Sequence, residues 1–439
     1  MRPRDGVAGE GEDQMSIRAT FNTAAQALLA QSQSLSNIST NIANVNTSGY
    51  KAQRTDFQTL LNHVRPSSAG PQKHFTVDSV DSRDVDRQGI IRSTERKLDL
   101  AINGRGFFVT NTNTDASGPW QFSRDGAFFG QAVSLDTDSD GDGQNDQGAL
   151  LTTATGAYIY GWQADSDGNF DEENSLEALL PVTINSNELF PHKATTRMSL
   201  QANVSAESNG RQSIGLPYVD TAGNTRTLTI GFNATLTNSW NMDFASIGRD
   251  FSTVPVTSNV SAVDFTPSGR LLAPSDGLIQ LTIQDAGAPQ TITLNIRDVT
   301  QFRGEGEIFV QNSDHDGYLQ GRLRETYFTE EGVLLGSYTN QELRPLFKLP
   351  IATFVAPDNL EAKSGNFFAM TQEAGELSLE ALDRGPSIAK IFVGGLETST
   401  VDLADQFTKM IITQRAYSSS ATVIRTADEM SMQARDLKR

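Results

Sequence analysis

Two heptad-spaced apolar series, one at each end of the chain, constrain this sequence more than any other feature. Near the start, Ile17, Phe21, Ala24, Leu28, Leu35, Ile38, Ile42 and Val45 recur in alternating steps of four and three, with Gln31 in one slot. Near the end, Leu403, Phe407, Met410, Tyr417, Ala421 and Ile424 keep the same rhythm, with Gln414 in one slot. Residues at this spacing form one stripe of a helix, and such a stripe needs a second helix to leave water. The ends are therefore expected to pair as a coiled-coil domain built from residues 15–61 and 394–439. The first helix is expected from Ile17 to Val45, stopped by the turn-forming Asn46-Thr47-Ser48-Gly49. The second is expected to begin near Asp402, a suitable N-cap or first-turn acid.

The flanks of the first stripe are unusual. Between Ser16 and Tyr50 the only charged residue is Arg18, and Ser, Asn, Gln, Thr and Ala stand where a solvated coiled coil would carry Glu and Lys. Neutral small side chains suit a helix surrounded by other protein. One apolar seam also returns less free energy than ordering both helices costs. The ends are thus expected to be disordered in a free subunit and to become helical as neighbouring copies pack around them. If the helices run antiparallel, pairing Ile17 with residue 431 sets Gln31 opposite Tyr417, and Gln31 and Gln414 become candidates for fixing register.

At 439 residues the chain has room for two or three domains. The formal net charge of −18, with no basic cluster to offset it, argues against nucleic acid or an anionic membrane as partner. There is no cysteine, which excludes a disulfide framework, thiol catalysis and Cys-ligated zinc. No window approaches the roughly 20 apolar residues of a membrane span, so no membrane insertion is expected. Residues 1–14 are polar and acidic, without the apolar stretch of a secretory signal. Because Met15-Ser16 directly precedes the first helix, 1–14 are expected to be a non-native or disordered extension.

The interior reads as antiparallel sheet, making the chain α+β and mostly β. Short apolar runs between Gly-rich turns, such as Leu98-Asp99-Leu100-Ala101-Ile102, Gly106-Phe107-Phe108-Val109 and Ala157-Tyr158-Ile159-Tyr160, mark an inner β domain over 62–196. A Thr- and Ser-rich block over 197–315, including Thr227-Leu228-Thr229-Ile230 and Thr291-Ile292-Thr293-Leu294, reads as an inserted outer β domain. Residues 316–393 share the texture of 62–196 and are expected to complete the inner domain. The plan is nested: ends with ends, flanking β blocks with each other.

Three motifs point to a family. Ser34-Leu35-Ser36, followed by Asn41-Ile42-Ala43-Asn44-Val45-Asn46-Thr47-Ser48-Gly49-Tyr50-Lys51, resembles the N-terminal signature of bacterial flagellar rod and hook axial proteins. Leu396-Glu397-Thr398-Ser399-Thr400-Val401-Asp402-Leu403, continuing through Gln414-Arg415-Ala416-Tyr417 to Asp428-Glu429-Met430, resembles the matching C-terminus, with Thr400 where members commonly carry Asn. Leu98 to Gly104 with Gly106-Phe107-Phe108 is similar to the shared inner β domain. The large insertion, Asp316-Gly317-Tyr318-Leu319-Gln320-Gly321 with Gly332-Val333-Leu334, and the closing Leu437-Lys438-Arg439 resemble the hook-type members. The resemblance implies a non-enzymatic subunit of an extracellular, self-assembling flexible tube, exported through the flagellar type III apparatus without a cleaved signal. Its implied partners are further copies of itself and the rod, hook-cap and hook–filament junction proteins. The assembly residues would be Ile17, Phe21, Leu28, Leu35, Ile38, Ile42, Val45, Leu403, Phe407, Met410, Tyr417 and Ile424. A distal rod protein is the near alternative and a calcium-binding surface adhesin the remote one.

Chemistry-bearing motifs are weak. Asp136, Asp138, Asp140, Asp142 and Asp146 alternate like a calcium loop, but the acidic ligand expected at the twelfth position is missing, so a solvated hairpin tip is the plainer reading. Asp165, Asp167 and Asp171 around Gly168 form a shorter echo. Ser387-Ile388-Ala389-Lys390 matches an acylase Ser-x-x-Lys without its companion Lys-Thr-Gly. His63, His74, His192 and His315 show no metal spacing. No catalytic residue and no cofactor are expected.

Overall fold

The computed structural model describes residues 9–63, 73–135, 145–207, 210–247, 253–284, 288–304, 306–382 and 389–436, with side chains from Thr20 onward except at 60–63, 73–76 and 434. Among the described residues the chain is mostly β, with α1 (Gly9–Ala43) and α2 (Leu403–Asp436) at its two ends. Asp402 caps α2 as its sequence position suggests, its carboxylate accepting from the amides of Ala404 (2.8 Å) and Asp405 (3.3 Å). At the other end α1 runs back through residues 9–14, which were expected to lie outside it.

α1 leads into a long two-stranded antiparallel ribbon, β1 (Gln53–His63) and β2 (Lys73–Arg83), registered from Gln53↔Arg83 to His63↔Lys73. Such a ribbon is marginal alone. Here it lies on α1: Asn37 Nδ2 donates to Thr55 Oγ1 (2.7 Å) and Asp81 Oδ1 (2.6 Å), and Gln33 Nε2 donates to Asp81 Oδ2 (2.7 Å).

Beyond the ribbon stands a thirteen-stranded sheet whose strands come from both sides of the middle block. Its central strand Phe108–Asn111 is buried at every position. Neighbouring residues there point to opposite faces, so Phe108 joins a cluster with Leu100, Ile102, Phe128 and Leu334, while Phe107 and Val109 join another with Phe122, Tyr160 and Trp162. The middle block forms a separate eleven-stranded sheet around its own apolar core. Its first strand, Arg197–Ser205, buries Met198, Leu200, Ala202 and Val204 in strict alternation, the pattern of a strand with one face to the core.

The incoming strand Arg197–Ser205 and the outgoing strand Phe309–His315 pair antiparallel, with Met198 opposite His315. Both crossings between the two sheets therefore pass one point. There the Asp316 carboxylate accepts from the Thr196 amide (2.8 Å), the Thr196 hydroxyl (2.6 Å) and the Arg197 amide (2.8 Å), with Lys193 Nζ at 3.6 Å. Partial burial pushes the carboxyl upward, but these donors outweigh it and hold the pKa at about 2. The stabilisation is present above the ordinary Asp value near 3.8 and is lost as pH falls towards about 2. Asp316→Asn should cost on the order of 1–3 kcal/mol and flatten the acid limb of the unfolding curve, read by thermal melts between pH 2 and 5; an unchanged acid limb would refute the clamp.

Candidate assembly site

α1 and α2 pack side by side, and polar residues set their register. Asn41 Nδ2 donates to Gln406 Oε1 (3.1 Å), and farther along Ser34, Asn37 and Ile38 share one groove with Lys409, Ile412 and Thr413. The helices are thus antiparallel. Ten residues back from Asn41 and ten forward from Gln406 bring Gln31 level with Ala416, one position from the Tyr417 expected opposite it. Gln414 itself is exposed.

What the pair buries is not the expected apolar stripe. On α1 the buried residues are Ala24, Ala30, Ser34, Asn37, Ile38 and Asn41; on α2 they are Gln406, Thr413 and Ala427. Small and polar side chains let the two backbones approach, and they leave the larger ones outside. Of the expected assembly residues, only Ile38 is fully buried. Leu28, Leu35, Ile42, Val45, Met410 and Ile424 are half-buried, while Phe21, Leu403, Phe407 and Tyr417 are exposed. Ile17 lies in α1, its side chain outside the described residues. Sequence reading missed Ile411 and Ile412, exposed at 53% and 62% beside Phe407 at 50%. α2 consequently presents large apolar groups on more than one side.

The roots of both helices meet at a buried charge cluster. Gly49, at φ +65°, turns the chain out of α1, and an added Cβ there would stand 2.6 Å from the Asp125 amide nitrogen. Two residues on, Lys51 Nζ donates to Glu397 Oε1 (2.7 Å), with both side chains wholly buried. Lys51 also donates to the Arg87 carbonyl (2.6 Å), and the Gly89 amide donates to the same Glu397 oxygen (2.6 Å). Arg124 Nη1 lies 3.5 Å from Glu397 Oε2, its guanidinium over the Phe107 ring at 5.5 Å. Burial pushes the Lys51 and Arg124 pKa values down, and the Glu397 carboxylate pulls them back up.

Around this cluster the backbones are sewn together. The Gly49 amide donates to the Glu397 carbonyl (2.8 Å), the Thr400 amide to the Tyr50 carbonyl (3.1 Å) and the Ala52 amide to Thr400 Oγ1 (3.0 Å). Thr400 thus supplies the side-chain acceptor that an Asn could provide. Asn41 bridges the ends: its Oδ1 accepts from the Gln53 amide (2.8 Å) and the Tyr50 hydroxyl (3.1 Å), and its Nδ2 donates to the Gln53 carbonyl (2.8 Å) as well as to Gln406. Sequence reading quoted Asn41, Lys51, Glu397 and Thr400 without assigning them roles. The available signal was that Lys51 is the first charged residue after Arg18, and Glu397, of opposite sign, is the last before the Asp402 cap.

The metal candidates gain no support. Asp136, Asp138, Asp140 and Asp142 lie outside the described residues; Asp146 is buried and accepts from Asn185 Nδ2 (2.8 Å). Asp165 spends its carboxylate on its own turn, accepting from the amides of Asp167 (2.9 Å) and Asn169 (2.8 Å). Among the described residues no group of His, Asp and Glu could hold a metal ion. His192 faces the Thr221 carbonyl, His315 is exposed, the His63 and His74 side chains fall outside the description, and so does Ser387.

Gly89 reports on the fit of the junction, since a Cβ there would meet the Thr398 carbonyl oxygen at 2.1 Å, whereas one at Gly210 meets nothing within 4 Å. Gly89→Ala should therefore destabilise the docking of 395–400 by about 1–3 kcal/mol and Gly210→Ala should be near neutral, as measured by denaturant titration. Equal stability of the two variants would contradict the packing described.

Three family profiles match in chain order: flagella basal body rod protein over residues 21–51, the flagellar basal body protein FlaE D2 domain over 183–318, and the flagellar basal body rod FlgEFG protein C-terminal region over 393–437. The flagellar hook protein FlgE of Rhizobium meliloti is 28% identical over 97% of this chain and its own whole length. That of Salmonella typhimurium is 26% identical over 94% of this chain and 98% of its own. Among solved structures, the flagellar hook protein FlgE2 of Helicobacter pylori aligns over 70% of this chain and all of its own, with a TM-score of 0.47 and 12% identity. With the N-terminal, middle and C-terminal profiles in order and relatives matched along nearly the full length, the chain is similar to flagellar hook proteins from end to end.

Proposed function

We propose that this protein is a structural subunit of the bacterial flagellar hook, polymerising into a flexible tube that carries torque from rod to filament. Its working species is the homopolymer, not the single chain. The observation that carries this reading is the outward display of Phe21, Phe407, Ile411, Ile412 and Tyr417 by a helix pair whose own interface is small and polar. An apolar display of this kind marks a surface that another protein covers. The heptad stripes then form coiled-coil contacts between neighbouring copies, with the Ala, Ser, Asn and Gln interface of each pair internal to one subunit.

The remaining partners follow from the same reading: rod below, hook cap during growth, junction proteins above, and type III export of a chain whose ends are unfolded in transit. The two β sheets, each with its own core, occupy the outer layers, where weak contacts between copies permit bending.

Each large apolar side chain covered in the tube contributes roughly 1.5–3 kcal/mol, and about 1.4 kcal/mol is tenfold in an equilibrium constant. Phe407→Ser should therefore raise the concentration needed for tube growth by tenfold or more while leaving the circular dichroism of the β sheets unchanged. Growth at the native concentration would sink the assignment of this surface. In the host, deleting the gene should remove the hook and keep the rod, as seen by electron microscopy of basal bodies. Hooks that persist, or rods that vanish with them, would overturn the hook reading.

A further inference from the structure

Lys51, Arg124 and Glu397 come from three segments far apart in sequence: the root of α1, the inner sheet and the approach to α2. Each is buried, with side-chain exposures of 0%, 1% and 0%. A buried charge is tolerated only while its partner is present, and removing one member of such a set costs far more than the pair contributes. Lys51 and Arg124 share the Glu397 carboxylate, with Asp86 a weaker anionic neighbour of both, and Arg124 Nε and Nη2 have no hydrogen-bond partner. Loss of Glu397 would leave two buried cations with only the weaker Asp86 charge to offset them. Loss of Lys51 would remove the group that carries α1's root onto the Arg87 carbonyl and the Glu397 carboxylate together.

We propose that this cluster is a latch through which the ordering of each terminal helix depends on the ordering of the other. Glu397 can enter its site only when the chain following α1 has already placed Lys51 there, and Lys51 can stay charged there only when Glu397 has entered. The backbone bonds between 49–52 and 397–400 and the Asn41–Gln406 contact form in the same step, because they join the same two segments. The helices are then one cooperative unit docked on the inner sheet. This coupling resides within one chain and does not rest on the hook reading.

The chain has no native cysteine, so single thiols give a clean probe of local opening. Ala30 in α1 and Ala427 in α2 are buried, at 3% and 7% exposure, and neither touches the charge cluster. Ala30→Cys and Ala427→Cys are placed separately in the full chain, and their labelling rates are measured in free subunits and in assembled tubes. Glu397→Gln, adjacent to α2 in sequence, should accelerate labelling at residue 30 as much as at 427, by about 100-fold or more. Lys51→Met, on the α1 side, should do the same at 427, since coupling is reciprocal. The triple variant Lys51→Met, Arg124→Met and Glu397→Leu should recover part of the protection at both thiols, because no member of the cluster then remains as a lone buried charge. Acceleration confined to the helix on the mutated side would overturn the latch. So would unprotected native rates at both thiols in subunits and in tubes. If Glu397→Gln does not fold, Thr400→Ala removes one bond at the same seam and should accelerate both thiols by a smaller, equal factor.

Discussion

The Glu397 carboxylate, buried between Lys51 and Arg124, is the charged contact that three distant segments of the chain share. It joins the beginning of the chain to its end and fastens both to the inner sheet. A buried ion cluster is a poor source of net stability, because desolvation offsets most of the attraction. Its value is selectivity: only one arrangement of three distant segments satisfies it. That suits a chain in which the joined segments lie 346 residues apart.

Fastening the roots in this way leaves the helices free to use their surfaces outward. Within one chain α1 and α2 touch through Ala, Ser, Asn, Thr and Gln, side chains that permit close approach and commit little apolar area. Phe21, Phe407, Ile411 and Ile412 are left on the outside. A soluble monomer would place them the other way round. The nested topology extends the same logic, since both passages to the middle sheet run through one clamped point at Asp316, so that sheet can be carried as a unit on the inner one.

Much of this was legible in the residues. Heptad spacing located both helices, Asp402 and Gly49 marked their near ends, and apolar alternation located strands such as Thr225–Leu236 and Gln290–Asn295. What periodicity could not reveal was which side of each helix faces its intramolecular partner. A stripe is a statement about hydrophobicity, and here the apolar stripe and the buried stripe differ. Ala24 and Ile38 belong to both, whereas Ser34, Asn37, Asn41, Gln406 and Thr413 are buried because Asn41 and Asn37 find donors and acceptors on the ribbon and on α2. The role of Arg124 was equally hidden, since nothing local distinguishes it from a surface arginine following a strand. The start of α1 also lay beyond the stripe, because the heptad slots before Ile17 fall on Gln14 and Glu10, which carry no apolar signal.

On the proposed function, the apolar faces of α1 and α2 are interfaces between subunits. A helical reconstruction of assembled tubes by electron cryo-microscopy tests it most directly. Phe21, Phe407, Ile411 and Ile412 should be enclosed by helices of neighbouring copies, with Asn41 still on Gln406 and Glu397 still on Lys51 within each subunit. Tubes in which those four side chains face solvent, while the subunits touch through their β sheets alone, would contradict it.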